Sequence, residues 1–132
     1  MRKYIITPVL LAIVCMVMCH CTFNRKASVA ANEYLIQGEL ANLPDSIVIG
    51  LYEEDGNILN CVLRDTLMNG QFSFRDTVST TRKMLIMSDN RGFPGTWLEV
   101  WIAPGEYIEI KGQDKLVKTW EVVSDVPEQQ EE

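Results

Sequence analysis

The chain has one histidine, His20, and it stands near the start. The long remainder therefore lacks any Ser-His-Asp or Cys-His relay, and any imidazole ligand for zinc. Cysteine is almost as scarce there. Cys15, Cys19 and Cys21 precede the body of the chain, which holds Cys61 alone. A lone cysteine closes no disulfide within its own domain, forms no Cys-x-x-Cys redox pair and builds no thiolate cage. The glycines form neither a P-loop nor a dinucleotide fingerprint, so phosphate cradles of those kinds are excluded. The longest apolar run, Tyr4 to Met18, is shorter than the roughly 20 residues of a bilayer-spanning helix. Positive charge is also thin. All 18 acidic residues follow residue 30, and two of the 12 basic ones, Arg2 and Lys3, precede the apolar run. From residue 22 onward 10 basic face 18 acidic residues, a net charge of −8. That balance disfavours nucleic acid and anionic membrane surfaces as partners.

What is present begins with a leader. Arg2 and Lys3 followed by an apolar stretch is the pattern of a secretory signal. Its end has three readings. A lipoprotein signal closes on a cysteine preceded by small residues. Cys21 and Cys19 are the candidate lipid attachments, although His20 and Met18 precede them. Cleavage near Ser28-Val29-Ala30 fits ordinary secretion, and an uncleaved leader would serve as an N-terminal membrane anchor. The expected location is the cell envelope, exported, at the periplasmic face of the inner or outer membrane, whereas ordinary cleavage would give a free periplasmic or secreted domain. The expected division is a leader over 1–21, a linker over 22–32, one domain over 33–125 and a polar tail over 126–132.

The domain reads as all-β. Tyr34–Leu40, Ser46–Tyr52, Leu59–Met68, Gln71–Arg75, Lys83–Met87, Trp97–Ala103, Glu106–Lys111 and Thr119–Ser124 are expected strands, separated by turn residues. Asn69-Gly70 predicts a hairpin, because both residues accept positive φ. Pro104-Gly105 predicts a second hairpin. About eight short strands with regular turns point to a small antiparallel β-sandwich. No segment after residue 30 carries a long helical period.

Cys61 falls on the side of Leu59 and Leu63 if its strand alternates strictly, which predicts a buried thiol. Glu53, Glu54 and Asp55 have no EF-hand spacing and read as a solvated turn. Asp65 is expected to accept from a turn or strand-end amide. No catalytic residue, metal site or cofactor is expected, and paired carboxylates of the kind used in glycoside hydrolysis stay open from sequence alone. The best lead is aromatic: Trp97, Trp101 and Tyr52 are candidate interface residues sharing one outer face. Alternatively, Trp97 and Trp101 form a stacking platform for glycans or peptides. A third reading makes Cys61 a redox thiol.

Several segments together carry a resemblance: Tyr34-x-Ile36-x-Gly38, Ile47-Val48-Ile49-Gly50-Leu51, Asp65-Thr66 followed by Asn69-Gly70-Gln71-Phe72-Ser73-Phe74, and Ile102-Ala103-Pro104-Gly105-Glu106-Tyr107-Ile108. Over about residues 32 to 125 the chain resembles a β-rich domain of unknown function in exported proteins of Bacteroides-type bacteria. That domain commonly precedes a thioredoxin-like domain of the AhpC/TSA type in thiol–disulfide oxidoreductases. The resemblance implies an accessory, non-enzymatic domain that docks a thioredoxin-like or other envelope partner. The redox pair of such proteins belongs to the thioredoxin-like domain, so no catalytic residue carries over. The ending Val126-Pro127-Glu128-Gln129-Gln130-Glu131-Glu132 resembles the start of the linker between the two domains, as in a truncated or split oxidoreductase.

Overall fold

Runs of alternating or continuously apolar side chains, bounded by turn residues, form the strands of the described chain. The structure is a computed structural model and describes residues 28–131. Cys19, Cys21 and the rest of the leader lie outside the described residues. Eight strands follow in order: β1 (Glu33–Leu40), β2 (Ile47–Asp55), β3 (Ile58–Leu67), β4 (Gln71–Thr77), β5 (Arg82–Met87), β6 (Leu98–Ile102), β7 (Tyr107–Gly112) and β8 (Glu121–Val123). Two 3₁₀ turns, Val117–Thr119 and Pro127–Gln130, flank β8. Among the described residues no helix is long and apolar enough to cross a membrane.

The strands form two four-stranded sheets, the all-β sandwich expected from the turn spacing. The first has the order β4-β1-β7-β8, the second β3-β2-β5-β6. The second sheet is antiparallel throughout, whereas β1 and β7 pair in parallel in the first. Between the sheets lie Tyr34, Ile36, Ile49, Leu51, Leu67, Phe72, Phe74, Ile86, Val100, Ile108 and Ile110. Each fully buried aliphatic side chain is worth roughly 1.5–3 kcal/mol relative to exposure. Phe93 and Trp120 meet edge to face, with ring centroids 5.7 Å apart, and close the core at the β8 end.

Both expected hairpins turn out to be corners. Asn69 (φ 52°) and Gly70 (φ 75°) make the tight turn, and Met68 and Gln71 exchange amide bonds of 3.1 and 2.9 Å across it. Pairing then ends: β3 runs beside β2 and β4 beside β1, in opposite sheets. Leu40 causes the divergence. Its amide donates to the Gly70 carbonyl at 2.7 Å, drawing the chain toward β1. A Cβ on Gly70 would lie 2.8 Å from the Leu40 carbonyl oxygen, so glycine is required there for space as well as for φ. Pro104-Gly105 behaves alike. The Gly105 amide donates to the Glu33 carbonyl at 2.7 Å and the Leu35 amide to the Glu106 carbonyl at 3.1 Å. These bonds deliver β7 to β1 and separate it from β6.

Candidate functional site

A single inserted residue decides what the second sheet shows to solvent. Leu51 pairs with Leu63, but Tyr52 pairs with Cys61, so Val62 is bulged out of register. The bulge reverses the phase of β3. Leu63 faces the core, while Cys61 and Leu59 follow Tyr52 and Glu54 to the outer side. The buried thiol expected from strict alternation is thus corrected: Cys61 is half-buried on the outer face, its Sγ 3.4 Å from the Leu63 carbonyl oxygen.

Tyr52 sits at the middle of this face. It is opposite Cys61 on one side and Leu85 on the other, and Leu85 is opposite Glu99 of β6. The Tyr52 ring folds back across Gly50, where an added Cβ would lie 2.4 Å from Cε2. Partial burial raises the Tyr52 hydroxyl above its ordinary range, and the neighbouring Cys61 and Asp89 add to the effect. Leu85 is only 6% exposed although it lies outside the main core. The outer face therefore has a small apolar layer of its own.

Trp101 belongs to the same side, because Val100 and Ile102 point into the core. Its backbone N–H donates to Gln129 Oε1 at 2.8 Å, tying the C-terminal 3₁₀ turn to the free edge of β6. The indole Nε1 is buried without a hydrogen-bond partner, as is Glu128 Oε2 in that turn. Trp97 is different. It lies just before β6, is 53% exposed, and lines a groove at the sandwich edge instead of the middle of the outer face. The structure thus groups Tyr52 and Trp101 on one face and places Trp97 at its margin.

Further exposed apolar side chains lie on β2 and β3, with Ile58, Leu59 and Val62 toward the hairpin tip and Val48 near the opposite end of β2. Val48 on β2 and Ile58, Leu59 and Val62 on β3 are 38–63% exposed. Val48 and Leu59 point outward by register, Val62 is the bulged residue, and Ile58 lies at the hairpin tip. Sequence reasoning missed the exposed Leu59 because strict alternation assigns it to the core. The two-residue turn Gly56-Asn57 was its available signal, since it lets β2 and β3 extend beyond the sandwich.

Asp65 and Glu53 have structural partners. Asp65 accepts from its neighbour's amide at Thr66 (2.9 Å) and from the Ser73 amide on β4 (2.7 Å), the strand-capping role expected of it. Glu53, in the acidic cluster, pairs with Arg82 at 3.3 Å. Among the described residues, no group of three His, Cys, Asp or Glu side chains could hold a metal ion. On the outer face of the first sheet a shallow hollow of about 550 Å³ is lined mainly by polar side chains, with Tyr107 Oη donating to Gln37 Oε1 at 2.8 Å. No family model, curated protein or solved structure matches the chain, so its functional reading rests on this geometry and on the sequence.

Proposed function

We propose that this protein is an exported, non-enzymatic accessory domain that docks a protein partner of the cell envelope. The observation that carries the reading is the set of exposed apolar side chains toward the tip of the β2–β3 hairpin, Leu59 and the bulged Val62 with Ile58 at the turn. Large apolar side chains left in water close together on a small domain mark an interaction surface. The leader supports delivery to the envelope. Lipidation at Cys21 or Cys19, or an uncleaved leader, would hold the domain at the membrane. The resemblance to domains that precede thioredoxin-like units supports a thioredoxin-like partner.

Intact-mass spectrometry of membrane and soluble fractions from the native host tests delivery. A chain beginning at Cys21 with acyl groups establishes the lipoprotein, and a chain starting near Ala31 establishes free secretion. Photocrosslinking from Ile58 and Val62 tests docking. The expected result is one envelope protein crosslinked at both positions and lost in Leu59→Asp. Crosslinks that persist in Leu59→Asp, or none from either position, would overturn the assignment of this face. Quenching of tryptophan fluorescence by free sugars would favour the glycan-binding alternative.

A further inference from the structure

The two sheets leave a side of the sandwich open between their edge strands β6 and β8. A groove of about 620 Å³ runs there. Its walls include Trp97 and Glu99 from the β6 side and Lys115, Leu116 and Lys118 from the segment before β8. Trp97 and Leu116 are 53% and 46% exposed, so its rim is apolar as well as basic.

The backbone of β6 is open along this groove. The Trp101 N–H leaves the sheet to reach Gln129, so Trp101 is in a non-hydrogen-bonded pair with Lys83. Antiparallel pairs alternate in type, so the Glu99–Leu85 pair is non-hydrogen-bonded too, and the Glu99 N–H and C=O point outward. The Gln129 side chain caps Trp101, and among the described residues no hydrogen bond outside the sheet engages the Glu99 backbone. An uncovered edge of this kind pairs readily with an added strand.

Charge selects the strand. Lys115 and Lys118 are exposed, and neither is in salt-bridge reach of a carboxylate among the described residues. They stand out in a region that carries a net −8 from residue 22 onward. Glu99, the acidic side chain in the groove, is already engaged by Lys83 at 3.7 Å.

We propose that this groove binds an extended peptide segment of alternating apolar and acidic residues, which adds as a strand to β6 at Glu99. Its apolar side chains would lie on the side of Trp97 and its carboxylates on the opposite side, toward Lys115 and Lys118 across the groove. The inference rests on reading the domain as a binding module, but it concerns a surface separate from the β2–β3 hairpin.

The test uses an N-acetylated, C-amidated octapeptide of alternating valine and glutamate, titrated against the protein by isothermal calorimetry and by tryptophan fluorescence compared between the parent and Trp97→Phe. Saturable binding is expected, weakened at least tenfold in Lys115→Glu/Lys118→Glu. Glu99→Pro, which removes the outward amide, should abolish binding, whereas Glu99→Gln should retain it. Proline is tolerated at an edge position whose N–H faces solvent, and circular dichroism checks that the variant is folded. N-methylation of the peptide's pairing amides should also abolish binding. No saturable binding, or equal binding by a valine–lysine peptide, would overturn the proposal. So would binding unchanged in Glu99→Pro. Dimerisation of the protein alone that Lys115→Glu/Lys118→Glu abolishes would overturn it as well, by placing a second copy in the groove. Because Leu59→Asp leaves this groove intact, its effect on envelope crosslinks fails or succeeds independently of the peptide result.

Discussion

Trp101 and Gln129 are joined by one hydrogen bond from a strand-edge amide to a side-chain carbonyl, at 2.8 Å. The bond does for β6 what a neighbouring strand would do: it satisfies an outward N–H and covers part of an edge. Gln129→Ala removes the acceptor and leaves a half-buried amide short of a partner. The expected loss is about 0.5–1.5 kcal/mol in urea unfolding, the usual net worth of such a bond. Amide exchange at Trp101 should accelerate while exchange at core strands holds. A variant in which Trp101 keeps its protection would show that water or another group caps this edge.

Asp65 couples the two sheets where the Asn69-Gly70 corner separates them. One carboxylate oxygen accepts from Thr66 beside it and the other from Ser73 on β4. Asp65→Ala strips both acceptors and should cost about 1–3 kcal/mol, since bonds to a charged group are stronger than neutral ones. Asp65→Asn keeps one oxygen acceptor and should cost less. Equal unfolding midpoints for the two variants and the parent would remove this coupling from the account of stability.

Most strands were legible from a period of two and β5 from a short apolar run, all bounded by turn residues, and Asp65 because a carboxylate in a strand register needs amides. Pairing was much less legible. Asn69-Gly70 specifies a local backbone turn, and the same positive φ values serve a hairpin or a corner between sheets. The distinction lies in Leu40, remote in sequence, whose amide captures Gly70. The bulge at Val62 was invisible for a related reason. Alternation is phased from each end of β3 separately, and nothing in Asn60-Cys61-Val62-Leu63 marks where the phase breaks. The groove between β6 and β8 depends on long-range packing throughout. Its one local signal was Leu116-Val117, an apolar pair set between polar Asp114-Lys115 and Lys118.

Cys61 and Tyr52 make the bulge testable by chemistry. With Cys61 on the outer face, a neutral thiol reagent should modify the folded protein, more slowly than the unfolded chain because the thiol is half-buried beside Tyr52. Tyr52→Ala should raise the folded-state labelling rate several-fold with a small change in stability. A thiol inert until denaturant is added would return Cys61 to the core and contradict the register of β3.

Tyr34 supplies a pH dependence with a definite sign. It is 2% exposed and directly opposite Asp76 on β4. Burial first, and the Asp76 charge second, push its hydroxyl from 10.0 up to about 12. A neutral acid with a raised folded-state pKa holds its proton longer in the folded chain than in the unfolded one. Its contribution is therefore complete below about pH 10 and lost as pH rises toward about 12. Melting temperatures over that window should fall with pH in the parent and fall less steeply in Tyr34→Phe, where no hydroxyl ionises on unfolding. Tyr52 and Tyr107, also raised by burial, act in the same direction in both proteins, so the difference between the two curves isolates Tyr34. Parallel curves would mean that the Tyr34 hydroxyl titrates alike in both states, and hence that water reaches it in the folded domain.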